Sequence, residues 1–453
     1  MQGMAPAHGL LMPWLGAASW QDIPVEDAAG IATALWGMRA HGCPRDVVWL
    51  DSASGGRHVL GVGDATLVVR DGVATRDGAP IAGDALDALE AASAEGGAWV
   101  GWLGYEAGVR LLGLEPRASR HPDAAWLRLS TWIVLDDETG RAQLQSRHAQ
   151  PEPLPAATRP PWYVDAPPAA VRRRDDAASY LAAIAACQRA IRDGDSYLLC
   201  LTTALETGPI DALATYLRLR ATARAHHGGL LRIAGTTLAS ASPERFLRLE
   251  DGRVQTSPIK GTRRRGTGAD DAALAEELRT SEKERAENVM IVDLCRNDLQ
   301  RVCEPGSVAV TSLLAVETYP TVHQLVSTIA GTVRDGVGPV DVLRATFPAG
   351  SMTGAPKRRT VELLQSLETG PRGVYSGCFG AVTADACDLA MVIRSIVADD
   401  AGATIGVGGG ITALSVPEEE LDEVALKAEA LVRALVPAGA GDGARGQAAR
   451  DSA

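Results

Sequence analysis

The stretch from residue 175 to residue 254 decides the fold class. It opens with DDAASYLAAIAACQRAIRDG (175–194), in which apolar residues recur at helical spacing from Tyr180 to Ile191 before Gly194 ends the pattern. Three strand-like segments follow, namely SYLLCLTTAL (196–205), GLLRIAG (229–235) and TTLASASPERFLRLEDGRV (236–254). Strands that follow one another without a regular βαβ rhythm are typical of α+β layers, not of a doubly wound parallel sheet. The sequence therefore predicts an α+β fold.

The flanking sequence divides the chain into regions. The segments VVWLDSASGGRHVLGVGDATLVVRDG (47–72) and WVGWLGYEAG (99–108) alternate apolar runs with turn residues, as antiparallel strands do. Proline is dense in 150–170, which we expect to be a surface connection, and the tail 437–453 is of low complexity and is expected to be disordered. We therefore predict an N-terminal region over 1–170 that includes the connection, a second region over 171–436, and the tail.

The composition restricts the class of protein. With 453 residues, 46% of them hydrophobic and 22% charged, the chain is globular and large enough for two or three packed units. Its net charge of −12 argues against a nucleic-acid partner, so any anionic ligand needs a locally built pocket. No apolar run is long enough to span a membrane, and the N-terminus lacks the basic start of a secretory signal. Seven scattered cysteines without a CxxC pair suit reduced thiols in a cytoplasm and give no zinc site.

Lys260 and Glu244 lie in SPERFLRLEDGRVQTSPIKGTRRRG (242–266) and are the first candidates for chemistry. Lys260 is flanked by Ile259 and Gly261 and has little room to extend to water. Burial is expected to lower its pKa and free its amine as a nucleophile or base. A lysine at a strand edge that reaches water is an equally weighted alternative.

Acidic side chains on two predicted helices are the second group of candidates. Ser281 and Glu284 form a capping box that opens a helix, on which Glu287 shares a face with apolar residues. The C-terminal helix (417–435) carries Glu420, Glu423 and Lys427 in a row along the flank of its apolar stripe. Carboxylates one turn apart are hard-oxygen ligands suited to Mg²⁺. For Glu287 taken alone an ion pair with a neighbouring arginine is favoured, and for the C-terminal helix the alternative is dipole stabilisation of an acidic first turn.

Glycine-rich backbone is the third feature. IGVGGGIT (405–412) follows a strand, and FPAGSMTGAPKRR (347–359) precedes a helix. Exposed N–H groups in such loops bind carboxylates or phosphates, although neither segment matches a known nucleotide-binding fingerprint.

Taken together and in order, these segments resemble the chorismate-utilising enzymes, which include the anthranilate, aminodeoxychorismate, isochorismate and salicylate synthases. The resemblance rests on PIKGT (258–262), MIVDLCRNDL (290–299), CEPGSVAV (303–310), GSMTGAPK (350–357) and the C-terminal helix. It is dense over 176–435 and looser over the first 150 residues. It implies a large sandwich of two antiparallel sheets with surrounding helices, to which both regions contribute strands.

The resemblance also implies a mechanism. Anthranilate synthases carry PIAGT where this chain has PIKGT, whereas members that aminate C4 carry the lysine. Lys260 would attack C2 of chorismate while Glu244 protonates the departing 4-hydroxyl, and ammonia would then enter at C4 to give 4-amino-4-deoxychorismate. The same resemblance makes Glu287, Glu420 and Glu423 the Mg²⁺ ligands. The substrate would contact Gly261, Thr262, Ser351, Tyr375, Arg394, Gly408, Gly410 and Lys427.

Departures from the family's sequence pattern reduce the number of reactions expected of this chain. Leu198 occupies the place of the water-activating lysine of isochorismate and salicylate synthases, and Gln324 stands where many relatives have histidine, with His323 beside it. The tryptophan-feedback motif LLES is missing near LDS (50–52). No glutaminase segment is recognisable, so a separate glutamine amidotransferase subunit would supply ammonia and a lyase would complete p-aminobenzoate for folate. The alternatives are an anthranilate or 2-amino-2-deoxyisochorismate synthase, and a non-catalytic paralogue that binds chorismate or docks a glutaminase.

Overall fold

The computed structural model describes residues 21–23, 28–40, 43–53, 56–137, 139–148 and 170–436. Nearly all of the proline-dense connection, the tail over 437–453 and the N-terminal end lie outside the described residues, so the expectations for them stay predictions.

Helices and strands alternate irregularly along the described chain. The helices are α1 Ala28–Trp36, α2 Ala85–Ala94, α3 Tyr105–Leu111, α4 Ala177–Arg192, α5 Ala212–Ala223, α6 Ala269–Thr280, α7 Glu282–Gln300, α8 Pro339–Thr346, α9 Lys357–Leu367 and α10 Pro417–Leu435, with a 3-10 turn over Gly350–Met352. The strands are β1 Gln21–Ile23, β2 Arg39–Ala40, β3 Cys43–Pro44, β4 Val47–Asp51, β5 Arg57–Arg70, β6 Val73–Arg76, β7 Ala79–Ile81, β8 Trp99–Leu103, β9 Ala124–Asp136, β10 Arg141–Ser146, β11 Arg172–Arg173, β12 Leu198–Thr207, β13 His227–Ile233, β14 Thr236–Ser242, β15 Arg245–Glu250, β16 Arg253–Thr256, β17 Ile259–Arg264, β18 Ala309–Thr318, β19 Val322–Thr332, β20 Gly354–Ala355, β21 Cys378–Val382, β22 Cys387–Met391, β23 Ser395–Asp399 and β24 Gly402–Ile411.

Two sheet layers face each other across a shared apolar interior. One layer contains β4, β13, β14 and β23, whose alternate side chains, such as Val48 and Leu238, point into this interior. The other layer contains β8, β9, β21 and β22, which contribute residues such as Trp102 and Phe379. The side chains between them, such as Trp49 and Trp99, point to the outer faces. This alternation is the period-2 geometry of a strand, and it builds the antiparallel sandwich expected from the sequence.

Helices cover both outer faces of the sandwich. Buried side chains of α1, α4, α5, α9 and α10 pack on one layer, and those of α2, α3, α7 and α8 pack on the other. The predicted helix after residue 175 is α4, which begins after Asp176, whose side chain accepts a hydrogen bond from the Ser179 N–H at 2.7 Å. The predicted α+β fold is therefore confirmed.

The two layers belong to one hydrogen-bonded network because β5 and β9 run through both. Their pairing shifts register on both sides of Gly63. Before this bulge β5 buries Leu60 and Val62 against one set of helices, and after it Leu67 and Val69 face the other set. A bulge adds twist and bends a strand, which is what a crossing between layers requires.

The N-terminal and second regions share the sheets. Strand β4 pairs with β13, and β8 pairs with β21, all antiparallel. Among the described helices, none combines the length and the apolar character that crossing a lipid bilayer needs.

Candidate active site

The residues singled out from the sequence line a single cavity of about 580 Å³. They come from the turn before β15, from β17 and β24, from α7 and α10, from the 3-10 turn before β20, and from the loops before β21 and after β22. All thirteen predicted site residues are among its lining residues: Glu244, Lys260, Gly261, Thr262, Glu287, Ser351, Tyr375, Arg394, Gly408, Gly410, Glu420, Glu423 and Lys427. The assignment of roles to them stays a prediction, but their convergence provides the geometry on which those roles depend.

Lys260 enters the cavity through an irregularity in β17. The pairing of β17 with β19 shifts register between Ile259 and Thr262, so Lys260 and Gly261 interrupt the regular ladder. Gly261 has a φ of +82°, and a Cβ there would lie 2.7 Å from the Leu278 side chain. Only glycine tolerates both conditions. The PIKGT glycine thus permits the bend that places the lysine.

The Lys260 side chain is mostly buried, with 13% of its surface exposed, and its ammonium nitrogen lies 3.9 Å from a Glu287 carboxylate oxygen. Burial alone would lower the pKa of Lys260, but nearby acidic groups, Glu287 foremost, raise it above its usual value. The expectation that burial lowers the pKa of Lys260 is therefore wrong for this structure. Acidic neighbours outweigh desolvation, and the resting lysine is an ammonium ion.

Glu244 is the buried acid of the cavity. It lies in the turn between β14 and β15, and its Oε1 accepts a hydrogen bond from the Ser351 hydroxyl at 2.9 Å. Burial raises the pKa of Glu244 to about 7, although Ser351 and Lys260 oppose the rise. A carboxyl group that keeps its proton near neutrality is suited to donate that proton to a leaving oxygen.

The three predicted metal ligands each lie near a lysine. Lys283 donates to Glu420 at 2.9 Å, Lys427 contacts Glu423 at 2.6 Å, and Lys260 lies near Glu287. Burial raises the pKa of Glu287, and the nearby charges of Glu284 and Glu420 add to the rise. Within the described ranges, no three His, Cys, Asp or Glu side chains are grouped closely enough to hold a metal ion as they stand.

The chemistry of this donor set nevertheless fits Mg²⁺, which prefers carboxylate oxygens and keeps part of its water shell. Glu287 and Glu420 are both buried and both adjoin the backbone of β24. A Cβ on Gly410 would lie 3.4 Å from a Glu287 oxygen, and one on Gly409 would lie 3.2 Å from a Glu420 oxygen. Buried like charges that repel one another are relieved by a bound cation. Binding would require the lysines to release these carboxylates.

Tyr375 and Arg394 also line the cavity. The Tyr375 ring packs against Gly406, where a Cβ would lie 2.1 Å from the ring. Any larger residue at 406 would therefore displace the ring. Arg394 donates through Nη1 to the Lys427 carbonyl at 3.2 Å, which leaves its remaining N–H groups for the cavity.

Backbone amides of β24 also face the cavity. Gly408 is opposite Thr202 and Gly410 is opposite Cys200 in the β12–β24 pairing. The N–H of Thr202 donates to Glu368 and that of Cys200 donates to the Thr353 carbonyl, so neither pair exchanges ladder hydrogen bonds. In an antiparallel ladder, the backbone N–H and C=O groups of such residues point away from the partner strand. The amides of Gly408 and Gly410 are thus on the cavity side, where the Gly408 carbonyl accepts from Lys427 at 2.9 Å.

Several functional neighbours were missed by sequence reasoning. Lys283 lies one turn before Glu287 on α7, and this i, i+4 spacing was the signal that could have identified it. Of the two residues left undecided, Gln324 lines the cavity, whereas His323 hydrogen-bonds Thr318 and Asp271 at 2.9 Å each.

A buried ion pair behind Tyr375 was also missed. The side chain of Arg372 is 2% exposed and donates to Glu368 at 2.7 Å, to the Cys200 carbonyl at 2.8 Å and to the Met352 carbonyl at 2.6 Å. It therefore links β12 to the turn that carries Ser351. Its sequence context, GPRG, contains no feature that signals burial.

The sequence profile of a family described as chorismate binding enzyme matches residues 45–433. The chain therefore belongs to the chorismate-binding enzymes.

Individual relatives give a finer comparison. The chain is 45% identical over 370 residues to an aminodeoxychorismate synthase of Streptomyces pristinaespiralis, covering 76% of this chain and 51% of that protein. It is 34% identical over 354 residues to anthranilate synthase component 1 of Methanothermobacter marburgensis, covering 76% of each. The chain thus spans about half the length of the aminodeoxychorismate synthases of Streptomyces that it matches.

Solved structures agree on the fold. The crystal structure of anthranilate synthase component I from Streptococcus pneumoniae superposes with a TM-score of 0.74 at 25% identity, covering 88% of this chain and 96% of the other.

Proposed function

We propose that this chain aminates chorismate at C4, using ammonia, to give 4-amino-4-deoxychorismate. The observation that carries the proposal is that Lys260 and Glu244 open onto the same cavity, one as a potential nucleophile and the other as a protonated acid. Relatives named aminodeoxychorismate synthase support the choice within the family.

Chorismate is a dianion, and the cavity offers matching positive groups. The guanidinium fork of Arg394 and the amides of Gly408 and Gly410 would hold one carboxylate, since both kinds of donor suit a planar anion. Tyr375, Thr262, Gly261 and Ser351 would complete the surface around the ring. Three of the four lysines in the sequence, Lys260, Lys283 and Lys427, line this cavity, which is how an acidic protein attracts an anionic substrate.

The reaction divides into two displacements. The neutral amine of Lys260 forms a bond to C2, the two ring double bonds shift, and the C4–O bond breaks as Glu244 gives its proton to the departing oxygen. Ammonia then forms a bond to C4, the double bonds shift back, and Lys260 leaves C2. The proton lost by the entering nitrogen returns to the Glu244 carboxylate, so the cycle closes with water as the second product. A covalent intermediate replaces one difficult displacement by two easier ones.

Lys260 must give its proton to solvent before it attacks, and the exposed 13% of its side chain allows this. Its ammonium form is favoured by the surrounding carboxylates, so neutralising Glu287 and its neighbours is the step that would release the amine. Glu287, Glu420 and Glu423 would hold Mg²⁺, which would supply positive charge to offset these carboxylates and to attract a carboxylate of the substrate. Lys283 and Lys427 line the same cavity and would add positive charge around the substrate.

The same family contains enzymes that add water in place of ammonia, and Leu198 argues against that reaction here. Leu198 is buried, and a Cβ on Gly410 would lie 3.1 Å from its side chain. An apolar group beside Gly410 cannot remove a proton from water.

The proposal includes a partner and a compartment. A separate glutaminase subunit would deliver ammonia, and a lyase would remove pyruvate from the product to reach p-aminobenzoate for folate. We place the reaction in the cytoplasm, because reduced thiols persist there. The six cysteines whose side chains the structure describes are all free thiols.

Product analysis tests the proposal. The purified chain is incubated with chorismate, Mg²⁺ and ammonium, and the products are separated and identified by mass spectrometry and by the position of the new C–N bond. A C4-aminated product supports the proposal. Anthranilate or a C2-aminated product would instead assign the chain to the alternative synthases, and intact chorismate bound without turnover would assign it to the non-catalytic paralogues.

A further inference from the structure

A second, smaller cavity lies directly behind Glu244. Its volume is about 20 Å³, and Glu244 and Ser351 line both this cavity and the larger one, so these two side chains form the wall between them. Every lining residue except Cys295 is buried. The lining residues beyond the shared wall are Phe246, Leu247, Thr256, Pro258, Cys295, Asp298, Leu299, Thr346, Ala349 and Gly350.

The size and the polar groups of this rear cavity suit one small hydrogen-bonding molecule. A cavity that admits one probe sphere of water radius, about 10 to 15 Å³, holds one water molecule when polar partners are present. The polar lining residues of the rear cavity are Glu244, Thr256, Asp298, Thr346 and Ser351. Asp298 accepts from Lys357 at 2.7 Å through only one of its two oxygens, and Oε1 of Glu244 is bonded to Ser351.

We propose that the rear cavity receives the water molecule formed when the 4-hydroxyl leaves chorismate. The inference rests on the proposed function and adds a binding site to it. When Lys260 bonds to C2, the C4–O bond breaks and the O–H bond of Glu244 gives its proton to the oxygen. The products of this step are one neutral water molecule and the Glu244 carboxylate. That water forms in contact with Glu244, whose side chain borders the rear cavity.

The position of the water matters for the second displacement. Ammonia has to reach C4, the carbon that the oxygen has just left, while Lys260 still holds C2. A water molecule that moves behind Glu244 leaves C4 open to ammonia and stays bonded to the carboxylate. The same water is then the one that returns if the first step reverses, so the oxygen atom is retained.

Isotope retention tests this inference. Chorismate labelled with ¹⁸O at the 4-hydroxyl is incubated with the chain and Mg²⁺ in unlabelled water without ammonium. Loss of label from recovered chorismate is measured against formation of the Lys260 adduct in the same quenched samples. In the unmodified chain the adduct forms and returns with its label, and the ratio of label loss to adduct formation is low.

Two variants change the rear cavity in different ways, one through its volume and the other through its polar groups. Cys295→Val fills it from α7, and Thr256→Val removes a hydroxyl without changing the volume. Each should raise the ratio about tenfold, since loss of one hydrogen bond or of the space releases the water to solvent. Cys187→Val is the matched control, a buried cysteine in α4 within a different group of core residues, and it should leave the ratio unchanged. Thermal unfolding verifies that each variant is folded.

The outcomes separate the inference from the proposed function. Adduct and C4-aminated product with the same ratio in all folded variants would overturn the rear cavity as the water site and leave the proposed function standing. A rise in the KM for ammonium in Cys295→Val with an unchanged ratio would likewise overturn it, because the cavity would then serve the incoming ammonia. Absence of adduct and of aminated product in the unmodified chain would overturn both.

Discussion

Replacing Glu244 by glutamine should stabilise the protein at alkaline pH while abolishing most of its activity. Burial raises the pKa of Glu244 to about 7 from 4.5 in the unfolded chain. A raised carboxyl pKa means that the folded state holds the proton more tightly than the unfolded state. The contribution to stability is full below pH 4.5 and is lost as the pH rises through 7.

The magnitude follows from the two pKa values. Between pH 5 and pH 8 this single group lowers the free energy of unfolding by about 2 to 3 kcal/mol, at 1.36 kcal/mol per pKa unit. Glutamine is neutral at every pH and keeps an oxygen that can accept from Ser351. Between pH 5 and pH 8 the free energy of unfolding should therefore fall less in Glu244→Gln than in the unmodified chain, by about 2 to 3 kcal/mol. The turnover of Glu244→Gln should be lower by a factor of about 10² to 10⁴.

Urea unfolding at pH 5, 6.5 and 8 measures the difference. Glu90→Gln, at an exposed position in the middle of α2, is the matched control and should follow the unmodified chain at each pH. Parallel pH dependences for Glu244→Gln and the unmodified chain would refute the raised pKa. Glu244 would then be ionised at neutral pH and could not serve as the proton donor.

Three further changes test other parts of the site. Arg372→Met leaves the buried Glu368 carboxylate without its cation, so it should lower the free energy of unfolding by about 3 to 5 kcal/mol in urea titrations. Adding Glu368→Gln should restore part of that loss. A loss below 1 kcal/mol in Arg372→Met would contradict this. Burial raises the pKa of Glu106 to about 7. In Glu106→Gln the free energy of unfolding should therefore fall less between pH 5 and pH 8, with unchanged turnover. A fall equal to that of the unmodified chain would contradict the raised pKa. Glu423→Gln should raise the Mg²⁺ concentration needed for half-maximal turnover, whereas an unchanged Mg²⁺ requirement would remove Glu423 from the metal site.

Local patterns predicted much of the fold. The helical spacing before Gly194 gave α4, and the strand-like segments after it gave β12 to β16. WVGWLGYEAG was predicted as one strand, but the strand ends at Leu103 and Tyr105 begins α3. Period-2 alternation also cannot show which of two layers a strand joins, so the crossing of β5 and β9 at the Gly63 bulge was not predictable.

The site shows the same division between local and distant information. Lys260, Glu244 and the three acids could be expected in one pocket, because each lies in a short segment that resembles a family motif. The charge on Lys260 was predicted wrongly, since it depends on acids from α7, α10 and the turn before β15. The pairing of Lys283 with Glu420, 137 residues apart, has no local signal at all.

The most direct test of the central claim is to trap the intermediate on Lys260. The chain is incubated with chorismate and Mg²⁺ without ammonium, quenched with acid, digested and analysed by peptide mass spectrometry. Because the sequence has only four lysines, the modified position can be assigned without ambiguity. The account predicts an adduct of chorismate minus water on Lys260, which disappears on adding ammonium and is absent in Lys260→Ala. Aminated product formed without any such adduct, or undiminished turnover by Lys260→Ala, would contradict it.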